Sequence, residues 1–197
     1  GQYILNAANV ALGLNLRGIG RNDFVAIIPL NLPESFWGLL GILIAGAIPV
    51  PIHPMLLKDA GCPGVREILA DCRPRILIAN RQLTEFLREF EWTPINVLQS
   101  KGMENYANRL ADGDVNLLGV RPLFDSSTYG QGICCYGFTY RKRYSSEIMI
   151  MPYTSGTTRM KGVKLTRLNI ADRVLAICKY FGATEHERIF SFLPLAH

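Results

Sequence analysis

The sequence predicts an α/β protein with a largely parallel sheet built from βαβ units. Short apolar segments of strand type alternate with longer segments whose apolar residues have helical spacing. Glycine and proline separate these segments. The 197 residues suffice for one substantial core or two small ones. Hydrophobic residues make up 49% and charged residues 19%, which is typical of a globular protein.

The first 52 residues show the alternation most clearly. Residues 3–16 have apolar side chains at helical spacing, and two glycines follow them. Residues 24–28 are a short apolar run that predicts a strand. Pro33 suits the first turn of a second helix, which we expect to end at Ala45 with Gly46 as its cap. Residues 48–52 predict a strand whose two prolines favour the edge of a sheet.

The same rhythm continues with predicted helices at 65–71 and 83–90 and predicted strands at 75–79 and 95–98. Residues 99–146 lose it, since six glycines and a basic cluster at 141–143 interrupt any pattern. We interpret this stretch as an irregular excursion or linker. Strands are then predicted at 147–153 and 189–193. A helix at about 168–181 lies between them, capped by Gly182, with an inward face of Ala171, Val174, Leu175 and Cys178.

Composition excludes several classes of protein. The net charge of +5 suits anionic small molecules or a membrane surface but does not indicate nucleic-acid binding. Five cysteines without a C-x-x-C pair favour a reducing compartment over a zinc site or a disulfide framework. No signal-peptide pattern is present. Residues 36–50 lack charge but are shorter than the roughly 20 residues of a membrane span, so we expect a core helix that buries Trp37, Leu40 and Ile44.

One loop, residues 153–163, combines the groups that bind phosphate. Its hydroxyl groups belong to Thr154, Ser155, Thr157 and Thr158. Gly156 and Gly162 allow the backbone N–H groups to approach an anion closely. Lys161 supplies a positive charge of the kind used on phosphates. Between residues 155 and 169 there are four cations and no acid, so the composition predicts an anion site, the alternative being a solvated polar turn.

Other phosphate-loop and nucleophile motifs do not fit this stretch. A Walker A loop requires Gly-Lys-Ser/Thr, whereas Lys161 precedes Gly162 here. A hydrolase elbow requires glycine two positions before the serine, where this chain has Tyr153. Residues 18–23 lack the third glycine of a dinucleotide fingerprint and follow a predicted helix. These three functions are therefore not indicated.

The order of the motifs resembles the AMP-forming acyl-activating superfamily, which includes acyl-CoA synthetases, luciferases and peptide-synthetase adenylation domains. The segment SFLPLAH at 191–197 is similar to the corresponding segment of long-chain fatty acyl-CoA synthetases. Blocks along the rest of the chain, including the phosphate loop, also agree with the superfamily. The matching blocks are DFVAI at 23–27, NLPE at 31–34, LIAGAIPVP at 43–51, TSGTT at 154–158, KGV at 161–163, and Leu165, Thr166 and Asn169.

One departure from the superfamily pattern lies inside the loop. The superfamily has glycine, a variable residue and proline between the second threonine and the lysine. This chain has only Arg159 and Met160 there. The loop is one residue shorter, so its geometry around a triphosphate is expected to differ, and Arg159 is a candidate to share the charge role of Lys161.

The resemblance implies that residues 1–197 form the N-terminal portion of an AMP-binding domain, with 99–146 as an excursion within it. Lys161 and His197 are then the catalytic candidates. The ATP-binding candidates are Thr154, Ser155, Gly156, Thr157, Thr158, Lys161 and Gly162. No metal ligand is assigned, because the superfamily's magnesium-binding glutamate lies beyond residue 197, and the chain by itself is expected to be inactive.

The implied reaction is ATP-dependent conversion of a carboxylic acid, a fatty acid first, to acyl-AMP and then acyl-CoA. The implied cofactors are ATP, Mg²⁺ and coenzyme A. An alternative is a ligase that passes the acyl group to an acyl carrier protein. A second alternative, from a different class, is a non-catalytic binding module with the same fold. A cytoplasmic location is expected, and the sequence leaves a peripheral membrane contact open.

Overall fold

The computed structural model describes residues 2–80, 83, 96–99, 146–155, 159–184, 186–188 and 195–196. Four helices, eight strands and one short 3-10 helix lie within these residues. In chain order they are α1 (Gln2–Asn15), β1 (Phe24–Ile28), α2 (Pro33–Ala45), β2 (Ile48–Pro51), the 3-10 helix (Pro54–Leu57), α3 (Pro63–Cys72), β3 (Ile76–Ala79), β4 (Asn96–Gln99), β5 (Ile148–Ile150), β6 (Tyr153–Ser155), β7 (Met160–Gly162), β8 (Leu165–Thr166) and α4 (Arg167–Phe181).

The main sheet has the strand order β2-β1-β3-β4, and all of its neighbouring strands are parallel. This confirms the predicted α/β class. The predicted segments at 24–28, 48–52, 75–79 and 95–98 are strands of this sheet, displaced by at most one residue at their ends. Two further strand pairs, β5 with β8 and β6 with β7, are antiparallel, and the sequence did not indicate them.

Helices cover both faces of the sheet. Val25 and Ile27 point into a core shared with α1 and α2, whereas Ala26 and Ile28 point into a core shared with α3. This alternation follows from the two-residue period of a strand. Because both faces are covered, β1, β2 and β3 are apolar throughout rather than alternating with polar residues.

Strand β2 lies at the edge of the sheet, as its prolines predict. The N–H groups of Ile48 and Ile52 donate to Asp23 O and Ile27 O of the neighbouring β1 segment, both at 2.8 Å. Since amide direction alternates along a strand, Pro49 and Pro51 stand where an N–H would point away from β1. The missing donors therefore cost the sheet no hydrogen bond.

Helix α2 has the predicted bounds, and Gly46 caps it in a left-handed conformation with φ 93°. The prediction of its buried face was wrong, however. Leu40 is 40% exposed, and Trp37 and Ile44 are only half-buried, while the buried positions are Gly38, Gly41 and Ile42. The two glycines allow α1 and the sheet to approach the helix axis, so the large side chains lie at the rim, where Trp37 packs edge-on against Tyr3.

The predicted inward face of α4 was also wrong. Ala171, Val174, Leu175 and Cys178 are all exposed, and no residue of this helix is buried. Helical spacing of apolar residues indicates which face can be buried, but burial needs a second element against that face. The described part of the chain places none there. The predicted cap, Gly182, is confirmed with φ 64°.

The predicted strand at 147–153 is divided, because the chain leaves β5 after Ile150 and enters β6 at Tyr153. Of the predicted helix at 83–90, only Leu83 lies within the described residues. Residues 100–145 of the predicted excursion at 99–146 and the predicted strand at 189–193 lie outside them. Among the described helices, none is both long and apolar enough to cross a membrane.

Candidate active site

The predicted phosphate loop connects the two strands of an antiparallel hairpin, β6 and β7. Thr154 is paired with Lys161, and Ser155 with Met160. Directly opposed residues of an antiparallel pair project from the same face, so Thr154 and Lys161 share one face of the hairpin. Both are exposed. This face can present a hydroxyl and an ammonium group to one anion.

Four predicted site residues cannot be placed. Gly156, Thr157, Thr158 and His197 lie outside the described residues, as does the side chain of Ser155. The backbone of Ser155 is described at the end of β6. Their roles in ATP binding and catalysis stay predictions.

Tyr153 attaches the base of the hairpin to α3. Its hydroxyl donates a hydrogen bond to Asp71 Oδ2 at 2.5 Å. Its ring lies against Gly162, where an added Cβ would be 3.0 Å from Tyr153 Cζ and 3.3 Å from Met151 Sδ. Gly162 was predicted to let backbone approach an anion. The structure shows that it also makes room for the Tyr153 ring, which the sequence did not indicate.

The two residues in the shortened part of the loop also face α3. The Nε atom of Arg159 lies 3.6 Å from Glu67 Oε1, with the Arg159 side chain 70% exposed. Met160 packs against the core cluster between the sheet and α3. Arg159 is thus paired with an acid on the helix, whereas among the described residues neither Lys161 nor Lys164 forms an ion pair.

The hairpin is also joined to the main sheet. The N–H of Met151 donates to Pro49 O at the edge of β2 at 3.0 Å, and the Val163 N–H donates to Pro152 O at 2.8 Å. Met151 is only 4% exposed and belongs to the core that α3 covers. Met151 is therefore fixed to β2 and to the core under α3, while the Val163–Pro152 bond joins the two segments that flank the hairpin.

Burial changes the proton affinity of two neighbouring side chains, Cys72 of α3 and Tyr153 of the hairpin. Desolvation raises the pKa of the Cys72 thiol from 9.0 to about 12, although the nearby Tyr153 hydroxyl lowers it in part. Desolvation and the hydrogen bond to Asp71 both raise the pKa of Tyr153 above its ordinary value. At neutral pH the tyrosine therefore keeps its proton and remains a hydrogen-bond donor.

The segment after the hairpin begins helix α4 with a capping box. Thr166 Oγ1 accepts from the Asn169 N–H at 3.2 Å, and Asn169 Oδ1 accepts from the Thr166 N–H at 2.9 Å. Thr166 and Asn169 belong to the sequence block that resembles the acyl-activating superfamily. The structure gives these two residues a local role, because the capping box fixes where the helix starts after the loop.

Comparison with known proteins identifies the family of this chain. Residues 1–197 match the family described as AMP-binding enzyme. The long-chain-fatty-acid–CoA ligase ACSBG1 of Rattus norvegicus is 26% identical over 218 residues, which covers 100% of this chain and 27% of that protein. The long-chain-fatty-acid–AMP ligase FadD32 of Mycobacterium marinum is 27% identical over 199 residues, which covers 98% of this chain and 27% of that protein.

A solved structure has the same fold. The fatty acyl-adenylate ligase from L. pneumophila, in complex with acyl adenylate and pyrophosphate, matches with a TM-score of 0.71 at 21% identity, covering 100% of this chain and 30% of that one. This chain thus spans less than a third of the length of these relatives. It belongs to the AMP-binding enzyme family and has the fold of the N-terminal part of adenylate-forming enzymes.

Proposed function

We propose that this chain contributes the triphosphate-binding part of an enzyme that activates a fatty acid with ATP. In this reaction the carboxylate attacks the α-phosphate, giving acyl-AMP and pyrophosphate. The acyl group then passes to the thiol of coenzyme A, and AMP is released. The observation that carries the proposal is the register of the hairpin, because Thr154 and Lys161 share one exposed face beside the loop 156–158.

The chemistry of this face suits the β- and γ-phosphates of ATP. Lys161 would bring a charge close to the oxygen atoms that gain charge as pyrophosphate leaves, and Thr154 would add a hydroxyl donor. Transfer of a phosphoryl or adenylyl group depends mainly on such positioning and charge neutralisation. The described residues offer no group of three or more acidic, histidine or cysteine side chains that could hold a metal ion. No step is therefore assigned to Mg²⁺ through this chain.

A fatty acid is favoured as the substrate because the first relatives act on long-chain fatty acids by name. The names of these two relatives do not agree on which molecule accepts the acyl group, since one is a CoA ligase and the other an AMP ligase. Transfer to a carrier protein is therefore the second candidate, and the dimodular nonribosomal peptide synthase of Bacillus subtilis, 24% identical over 181 residues, is also similar to this chain. Coenzyme A is favoured because the segment 191–197 resembles acyl-CoA synthetases.

The test is pyrophosphate release by the protein at its full natural length. Fatty acids of several chain lengths are supplied with ATP and Mg²⁺, with and without coenzyme A, and the products are identified by mass spectrometry. Acid-dependent pyrophosphate release with acyl-CoA formation supports the proposal, and acyl-AMP that persists despite coenzyme A supports the carrier-protein alternative. ATP binding without pyrophosphate release for any acid would instead support the alternative of a non-catalytic binding module.

A further inference from the structure

Two acidic side chains of α3 reach the phosphate hairpin from below. Glu67 pairs with Arg159, and Asp71 accepts the hydrogen bond from the Tyr153 hydroxyl. Residues four positions apart lie on one face of a helix. A single face of α3 therefore contacts the hairpin at two places, Arg159 directly before β7 and Tyr153 at the start of β6.

The two contacts differ in strength. The Arg159 side chain is 70% exposed and the Glu67 side chain 37% exposed, and an ion pair open to water contributes little because water screens it. The Tyr153 hydroxyl donates to the carboxylate of Asp71, an exposed residue, and a hydrogen bond to a charged acceptor is among the stronger kinds. The Tyr153 ring is additionally packed against the core and against Gly162. The tyrosine contact is thus one attachment of the hairpin to α3, and the packing of Met160 of β7 against the same core is another.

This attachment lies next to the residues assigned to phosphate. Tyr153 directly precedes Thr154, and it is paired in the hairpin with Gly162, the neighbour of Lys161. A change in the position of the Tyr153 backbone would therefore displace Thr154 and Lys161 together. In a reaction governed by the placement of charge, a displacement of about 1 Å has a large effect on rate.

We propose that Asp71 is a positioning residue, which holds the phosphate hairpin in its working place through the Tyr153 hydroxyl. The proposal deepens the proposed function and rests on it for the catalytic consequence. Because the raised pKa of Tyr153 keeps its proton in place, the hydrogen bond is available throughout the neutral pH range. The side chains of Asp71 and Tyr153 themselves need not touch ATP.

The test uses the protein at its full natural length in five variants. Asp71→Ala removes the acceptor, Tyr153→Phe removes only the hydroxyl while keeping the ring over Gly162, and the double variant removes both. Asp71→Asn restores an acceptor oxygen without the charge. Asp172→Ala, an exposed aspartate on α4, is the matched control.

Two readouts are measured. Trypsin cleaves after lysine and arginine, so the cleavage rates after Arg159, Lys161 and Lys164, mapped by mass spectrometry, report whether the hairpin is held. Asp71→Ala and Tyr153→Phe should each raise these cleavage rates several-fold without changing cleavage after Lys58. They should also raise the KM for ATP about tenfold in pyrophosphate release, as expected for losing a hydrogen bond to a charged group. Asp71→Asn should recover part of both effects.

The double variant decides whether the two residues act as one unit. It should be no worse than either single variant, because both remove the same contact. Additive effects, or unchanged cleavage in Asp71→Ala, would overturn the positioning role even if the wild-type protein is active. A wild-type protein that releases no pyrophosphate would overturn the proposed function instead, while the cleavage rates would still decide whether Asp71 holds the hairpin.

Discussion

Gly41 of α2 lies directly against Val10 of α1. A Cβ added at Gly41 would be 2.4 Å from Val10 Cγ1 and 2.7 Å from the backbone oxygen of Ala7. At Gly38, one turn earlier on the same helix, an added Cβ would meet only the tip of the Ile27 side chain, at 2.8 Å. The two glycines thus have neighbours of different rigidity.

Gly41→Ala is therefore expected to lower the free energy of unfolding by about 1–3 kcal/mol, as overpacking in a core does. Gly38→Ala should cost less than about 1 kcal/mol, because the tip of an isoleucine can rotate and alanine favours the helix. Urea unfolding of both variants measures the difference. Equal losses would show that α1 can shift away from α2 without cost.

Lys161→Ala should lower the rate of adenylation by about two to three orders of magnitude, or about 2–4 kcal/mol of transition-state stabilisation. Lys164→Ala is the matched control and should cost less than about 1 kcal/mol, because it lies beyond the hairpin and is exposed. Pyrophosphate release by the full-length variants measures both. Equal losses would mean that the phosphate site is elsewhere.

Arg159→Ala tests whether Arg159 shares with Lys161 the role of neutralising phosphate charge, which the shortened loop suggested. Since Arg159 lies 3.6 Å from Glu67 on α3, the expected loss in pyrophosphate release is less than about fivefold, the value of a screened ion pair. A loss as large as that of Lys161→Ala would show that Arg159 turns to the phosphates when ATP binds.

Cysteine reactivity should divide the described thiols into two groups. Cys62 and Cys72 are 3% and 6% exposed, whereas Cys178 is exposed. A pKa of about 12 leaves Cys72 with almost no thiolate at about pH 8, and the thiolate is the reactive form. Alkylation by iodoacetamide should therefore modify Cys178 at least about a hundredfold faster than Cys72, as peptide mapping can measure. Rapid modification of Cys72 in the folded protein would contradict its burial.

Stability should fall at alkaline pH because of Cys72. The unfolded thiol ionises near its ordinary pKa of 9.0, whereas the folded thiol keeps its proton until about 12. The folded state then binds more protons, so this contribution is complete below pH 9.0 and is lost as the pH rises towards 12. Urea midpoints measured from about pH 8 to about pH 10.5 should decline less steeply in Cys72→Ala than in the wild type. Parallel declines would exclude the thiol as a cause.

Local sequence rules predicted most of the main sheet and its helices. Helix α2 begins at Pro33 and is capped by Gly46 as expected, since a proline suits the first turn of a helix and a glycine its left-handed end. The strand at 24–28 was predicted without error because its short apolar run ends at a proline. Such signals act within a few residues, so they can be read from the sequence directly.

Contacts between distant residues could not be predicted in this way. The bond between Tyr153 and Asp71 joins residues 82 positions apart, and Asp71 belongs to no recognisable motif. Likewise, the large apolar residues of α2 were expected in the core, whereas Gly38 and Gly41 are buried because α1 and the sheet approach the helix there. The phosphate hairpin shows both cases, since its residues were named from a pattern while its attachment to α3 depends on the tertiary fold.

The two prolines of β2 also bear on how the protein behaves at high concentration. Pro49 and Pro51 leave the outer edge of this strand with carbonyl oxygens but without N–H donors at these positions, and the Met151 N–H already occupies Pro49 O. A strand from another molecule cannot complete a ladder against such an edge, because half of the hydrogen bonds have no donor. The edge therefore works against strand-to-strand aggregation, a hazard that every open sheet otherwise carries.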